Sequence, residues 1–169
     1  MSALHTADVE AIVRHGPAGH KAELRLWLRL LSCTNLVTTA IRRRFRSEFG
    51  VTLPQFDLMA QLHREPAGLR LGELSARMMV TNGNITGLVT RLAAERLVRR
   101  NAAPDDGRVA VVVLTSAGAR LFARMARAHE SWIADLFAKV GRRRATALTN
   151  DLRLVKDSVR GAIVAGSGR

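Results

Sequence analysis

Apolar positions along most of this chain recur at the spacing of a helix, and the pattern turns strand-like in one short stretch. From Ala22 to Phe49, the positions Leu24, Trp27, Leu28, Leu31, Thr38, Ile41, Phe45 and Phe49 share one face. Leu26, Leu30, Val37 and Ala40 make a second apolar flank. A helix apolar on two sides is expected to be covered by more than one neighbour, and Gly50 is placed to end it. Pro54 suits the first turn of a second helix, PQFDLMAQLHRE, which Pro66-Ala67-Gly68 closes. LRLGELSARMMV predicts a short third helix with Leu71, Leu74 and Met78 in register. TNGNITGLVTRLAAERL predicts a fourth, with Thr81 as its N-cap. LVRRN and VAVVVLT then read as strands around the turn AAPDDGR. Thr115 caps a long helix reaching Phe137, with Leu121, Met125, Ala128, Trp132 and Leu136 at helical spacing. GRRR interrupts it, and residues 143–164 resume the period through Leu148, Leu152, Val155, Val159 and Ile163. The expected order is four helices, a hairpin and two helices. Residues 1–20, with HGPAGH, lack periodicity and are expected to form a mobile N-terminal arm.

Two helices joined by a short turn and followed by a hairpin describe a winged helix-turn-helix. Its second helix enters the major groove of double-stranded DNA, and the hairpin reaches an adjacent groove or the backbone. Projected at about 100° per residue, Thr81, Ile85, Leu88, Val89 and Leu92 fall on one face of the fourth helix. Gly83, Thr86, Gly87 and Thr90 fall on the other, with Asn82, Asn84 and Arg91 at the margins. Glycine inside a helix costs about 0.5–1 kcal/mol relative to alanine, so two glycines four apart need an offsetting use. Close approach to a nucleic-acid backbone or groove floor supplies one. Asn82 or Asn84 suits adenine, the Thr86 methyl suits thymine, and Arg91 suits phosphate or guanine. A surface helix of weak propensity would look the same in isolation, and the hairpin decides between the two. Asp105 and Asp106 make its turn, and Gly107 can take a positive φ. Arg108 then stands at the tip, beside Arg99 and Arg100 of the opposite strand. A lone tip arginine fits a narrow minor groove, and Asp106 is expected to hold it or its neighbours.

Composition supports a polyanionic partner. The 169 residues, 47% of them hydrophobic, suffice for one domain with a core. The net charge is +13, and every basic residue except Lys21, Lys139 and Lys156 is arginine, whose planar fork suits phosphate and base edges. An arginine-preferring genome would account for the ratio of arginine to lysine, but not for the excess of bases over acids. IRRRFR and GRRR read first as solvated or helix-end charge, with phosphate contact as the alternative. The single Cys33 excludes an intramolecular disulfide and a cysteine-only zinc site. His5, His15, His20, His63 and His129 have no ligand spacing, so no metal is expected. No nucleophile–base logic, phosphate loop or converging carboxylates are present, so neither an enzyme nor a cofactor is expected. With no 18-residue apolar run and no signal-like start, the chain is expected to be cytoplasmic and without a membrane partner.

Asp106-x-Arg108, five residues, then Leu114-Thr115-x-x-Gly118-x-x-Leu121 resembles the wing-into-helix signature of the MarR family. LPQFDLMAQL, LGELSARM and TNGNITGLVTRL resemble that family's second, third and fourth helices, so the resemblance spans about residues 22–160. Gly107 stands where the family often has a second wing arginine, and Arg96 where it often has a helix-ending glycine. The fold so implied is mainly α with a small β-hairpin wing. A winged helix-turn-helix DNA-binding lobe, residues 51–115, is carried by a helical dimerisation region, residues 21–50 and 116–165. The resemblance implies a homodimer whose first, fifth and sixth helices interlock and whose two lobes read a pseudo-palindromic operator. Independently, three long helices with wide apolar faces need more cover than one small lobe gives.

The resemblance further implies a transcriptional regulator, in most members a repressor released by a small-molecule effector, often an aromatic anion. ELRLWLRLLSCT, TLPQFDLMAQL and MMVTNGN are similar to members controlling aromatic-acid catabolism, some of which sense acyl-CoA thioesters. On that reading Trp27, Leu31, Cys33, Asn35, Met59 and His63 line the ligand site, and Arg25 or Arg29 takes the anion. Each is equally read as ordinary core or interface. Two other functions stay open. One is a basic winged-helix module for RNA or the ribosome. The other is a thiol-based redox-sensing regulator acting through Cys33, although the branch that works this way uses tyrosines and this chain has none.

Overall fold

The structure is a computed structural model, and it describes residues 21–102 and 110–166. The sequence readings on the N-terminal arm, on Asp106 and on Arg108 lie outside the described residues. Among the described residues, six α-helices and a small antiparallel sheet follow in the order α1 (Lys21–Phe49), α2 (Leu53–Arg64), β1 (Leu69–Arg70), α3 (Leu71–Met78), α4 (Asn82–Ala94), β2 (Val98–Ala102), β3 (Ala110–Leu114), α5 (Ser116–Phe137) and α6 (Arg142–Gly166). The chain forms two compact units, one up to Ala128 and one from His129 onward.

In the first unit, the helix starts follow from short polar side chains. Thr52 and Gln55 form a reciprocal capping box at α2, in which Gln55 Oε1 accepts from the Thr52 N–H at 2.9 Å. Thr81 Oγ1 accepts from the Asn84 N–H at 3.4 Å, and Thr115 Oγ1 from the Gly118 N–H at 3.0 Å. Gly50 ends α1 with φ +66°.

The sheet departs from the expected simple hairpin. Leu69 and Arg70, expected to open the third helix, instead pair with β3 in the register Leu69↔Val112 and Arg70↔Val111. Gly68 makes this possible: its φ is +98°, and a Cβ there would lie 2.7 Å from Val113 Cγ1 and 2.9 Å from the Val112 carbonyl oxygen. The third helix therefore starts at Leu71, with a Glu73 carboxylate oxygen accepting from the Arg70 N–H at 2.7 Å. The strand order β1-β3-β2 puts β3 in the centre. That position buries Val111, Val112 and Val113 together, which is why the strand is a continuous apolar run. On edge strand β2, Arg99 and Arg100 face Val113 and Val112 in register and remain exposed.

Phenylalanines tie three helices together. Phe45 of α1 lies 4.5 Å from Phe56 of α2, and Phe56 stacks on Phe122 of α5 at 5.5 Å. Leu58, Met59, Leu62, Leu74, Ile85, Val89, Leu92 and Met125 complete a sealed core. Among the described residues, the cover expected on both flanks of α1 is found in its C-terminal half, where Ile41 and Phe45 are buried. Leu24, Leu26, Trp27, Leu31 and Leu36 are exposed.

In the second unit, a 3-10 turn (Ala138–Val140) and Gly141 at φ +75° break the helix at the sequence that reads GRRR. Trp132 is buried, whereas Leu148, Leu152, Leu154, Val159, Ile163 and Val164 of α6 are exposed.

Gly118 is the tightest backbone approach: a Cβ there would stand 2.0 Å from the Leu97 carbonyl oxygen. Gly118→Ala should therefore destabilise the fold by about 1–3 kcal/mol or more. Gly72→Ala, where nothing lies within 4 Å, should be neutral or stabilising in the same denaturant titration.

Candidate nucleic-acid interface

The site is built on α4, whose two faces separate as the 3.6-residue period dictates. Ile85, Val89 and Leu92 are fully buried and Leu88 half-buried. Gly83, Thr86, Gly87 and Thr90 are exposed along the opposite face, with Asn82, Asn84 and Arg91 exposed at its margins. Nothing lies within 4 Å of a Cβ built on Gly83 or Gly87, so the chain's own packing does not require either glycine. Thr86 Oγ1 donates to the Asn82 carbonyl at 2.9 Å, and Thr90 Oγ1 to the Thr86 carbonyl at 2.8 Å. These bonds use the hydroxyl protons inside the helix and fix the rotamers. The Thr86 methyl and an oxygen lone pair are left for an outside partner.

A groove of about 320 Å³ runs along this face, lined by Pro54, Met78, Val80, Gly83, Asn84, Gly87, Leu88 and Arg91. The sequence reading found Gly83, Asn84, Gly87 and Arg91 but missed Leu88 of the same helix, together with Pro54, Met78 and Val80. Their signal was present in the apolar MMV immediately before TNGNITGL, but only packing brings Pro54 of α2 to the same wall.

Both ends of α4 are held in left-handed backbone by non-glycine residues. Met79, before the N-cap, has φ 54°, and Arg96, after the C-cap, has φ 58°. At Arg96 the Leu97 N–H bonds the Leu92 carbonyl and the Arg96 N–H the Ala93 carbonyl, both at 2.9 Å. This is the paired pattern that glycine usually serves, here at a cost of about 1–2 kcal/mol. Thr115 offsets it: its hydroxyl donates to the Arg96 carbonyl at 2.8 Å, with the Leu97 carbonyl at 3.2 Å. At the other end, Ser75 Oγ donates to the Val80 carbonyl, while the Val80 N–H bonds the Ser75 carbonyl at 3.2 Å. An exposed ion pair, Arg77 with Glu65 at 3.1 Å, links α3 to the end of α2. On β2, exposed Arg99 donates to Asn101 Oδ1.

The residues expected to line a ligand site lie apart from the groove beside α4. Arg25, Trp27, Arg29, Leu31, Cys33 and Asn35 are exposed on α1, and the groove beside α4 draws on none of them. Met59 is sealed in the core, and His63 is exposed with its ring 4.7 Å from that of Phe122. Among the described residues, no three His, Cys, Asp or Glu side chains gather as a metal ion would require, and no helix is long and apolar enough to cross a membrane.

The sequence profile of the MarR family matches residues 49–109. The crystal structure of a MarR family transcriptional regulator from Silicibacter pomeroyi is 33% identical to this chain. It superimposes with a TM-score of 0.73 over 85% of this chain and 99% of that one. The chain belongs to the MarR family. Two more distant structures share the fold. Sco3205 of Streptomyces coelicolor, solved in complex with DNA, is 24% identical with a TM-score of 0.71, covering 85% of this chain and 92% of that one. CouR of Rhodococcus jostii, solved with p-coumaroyl-CoA, is 19% identical with a TM-score of 0.69, covering 79% and 90%. The MarR family fold is that of DNA-binding, winged helix-turn-helix transcriptional regulators.

The open space at Gly83 and Gly87 makes a sharp prediction for the free protein. Gly83→Ala and Gly87→Ala should each raise its stability, by about 0.5–1 kcal/mol, since only helix propensity changes. Chemical denaturation of the isolated variants measures this directly.

Proposed function

We propose that the protein is a homodimeric repressor that reads a pseudo-palindromic operator in double-stranded DNA through α4 and its wing. On this reading a small effector, an aromatic acid or its acyl-CoA thioester, releases it. The observation that carries the reading is the exposed small-polar face of α4. Asn82 and Asn84 offer amide pairs, Thr86 a methyl, and Arg91 a guanidinium, all suited to base edges or phosphates in the major groove. Gly83, Gly87 and Thr90 keep the face low enough for close approach. Arg99, and Arg108 with its supporting Asp106, take the adjacent groove or backbone.

The homodimer is supported by the exposed leucines and valines of α1 and α6, since apolar side chains in such numbers are stable in water only when a second surface covers them. Residues 21–50 and 116–165 then form the dimerisation region, and residues 51–115 the reading lobe. The effector class is supported by the aromatic acyl-CoA held in the CouR structure. Arg25, Trp27, Arg29, Leu31, Cys33, Asn35, Met59 and His63 are its proposed surroundings.

Three measurements test this reading. Asn84→Ala and Thr86→Ala should each lower affinity for a duplex carrying the palindrome upstream of the gene, by about 1–3 kcal/mol. Affinity for unrelated duplex should stay nearly unchanged. An equal loss on both duplexes, or tighter binding to RNA of the same length, overturns base reading by α4. Deleting residues 143–169 should leave no stably folded monomer, because the remaining apolar faces lose their cover, and sedimentation with circular dichroism decides the point. Aromatic carboxylates and their CoA thioesters, titrated into the operator complex, should release it.

A further inference from the structure

Near the end of α1, three exposed arginines, Arg42, Arg43 and Arg46, stand outside the reading face of α4. At about 100° per residue they fall within one sector of about 100°, turned away from buried Ile41 and Phe45. Arg44 points to another side of the helix and is half-buried. From Leu24 to Ser47 the sequence contains no Asp or Glu. None of the three arginines therefore has an acid three or four residues away, where an ion pair along the helix would form. Like charges at that spacing destabilise a helix. The helix dipole accounts for Arg46, in the last turn, but it fades within one turn and does not account for Arg42 and Arg43. The stripe is positive charge that its own helix leaves uncompensated.

Its position indicates the polyanion that compensates it. The chain folds back tightly after α1, with the Gly50 N–H bonding the Arg46 carbonyl at 3.2 Å and the Val51 N–H the Phe45 carbonyl at 3.4 Å. α2 starts at once, and its Pro54 forms the wall of the groove that Gly83, Asn84, Gly87 and Arg91 of α4 also line. The arginine stripe is thus joined to the reading face by one compact turn, and Arg42 lies only about 6 Å further along the helix axis than Arg46. Arg124 of α5, over the Phe49 ring at 5.8 Å, adds a guanidinium at the same end of α1.

We infer that Arg42, Arg43 and Arg46 form a second DNA contact, gripping backbone phosphates beside the bases that α4 faces, an assignment that rests on the reading of α4 given above. Guanidinium groups match phosphate oxygens in paired hydrogen bonds. Such bonds fix the register of a protein on the duplex without reading its sequence.

The test uses the full chain carrying Arg42→Gln, Arg43→Gln and Arg46→Gln together, titrated against the upstream palindrome and against unrelated duplex of equal length over a range of salt. Both affinities should fall by a common factor, roughly tenfold or more at physiological salt. The slope of log affinity against log salt should become shallower by about 0.9 for each phosphate that the variant no longer neutralises. The corresponding triple lysine variant should keep the slope. Should the glutamine triple lose its circular dichroism signal, the three single variants carry the test, with proportionate slope changes expected. An unchanged slope overturns the assignment. So does a loss confined to the palindrome, a loss seen only with RNA, or a lysine triple as weak as the glutamine triple. Asn84→Ala, run in parallel, should lose preference for the palindrome at unchanged slope. If it keeps that preference, base reading by α4 fails, while the slope still judges the stripe.

Discussion

The hydroxyl of Thr115 is the point on which the placement of α4 depends. It accepts from the Gly118 N–H to start α5, and it donates to the Arg96 carbonyl just beyond the end of α4. The Thr115 N–H meanwhile bonds the Leu97 carbonyl at 3.0 Å. One residue therefore starts α5, terminates β3 and fixes the left-handed turn that ends α4. Gly118 allows the close approach, since any side chain there would meet the Leu97 carbonyl. The base reading proposed for α4 requires that helix to be held firmly, and a junction of backbone and hydroxyl bonds is stiffer than side-chain packing alone.

The lobe divides its tasks between two sides of one helix. The buried side of α4 joins a core in which Phe45, Phe56 and Phe122 link α1, α2 and α5. Its outward side contributes almost nothing to that core. Gly83 and Gly87 have open space around them, and Thr86 and Thr90 bond only their own helix. Residues that the fold neither requires nor excludes are free to be chosen for a partner. The opposite holds for Gly68 and Gly118, where the fold itself demands glycine.

Charge follows the same division. Among the described residues one polar side chain, Gln55, is buried, and its oxygen is used in the α2 capping box. Among the described residues the arginines are exposed or half-buried, where they cost little desolvation and can act at range on an anionic partner. Arg99 and Arg100 show how the sheet permits this: their strand lies at the edge, so its outer residues stay in water while the central β3 is apolar throughout.

Much of this architecture was legible in the sequence because its signals are local. Helical periodicity gave the six helices, Thr81 and Thr115 announced their caps, and the alternation of faces on α4 was readable residue by residue. The wing-to-helix motif also marked Thr115 and Gly118, although not what they touch. The rest was decided by tertiary structure. Leu69 and Arg70 became a strand because β3 offered them a ladder and Gly68 let the chain approach it, a long-range pairing that no local propensity encodes. The family resemblance marked Arg96 at the end of its helix, but not that Thr115, nineteen residues away, holds its carbonyl. Pro54 joined the groove beside α4 because α2 packs there, and the same packing buried Met59. Periodicity tells which face of an element is apolar. Which neighbour covers that face depends on contacts between residues far apart in the chain, and those exist only once it has folded.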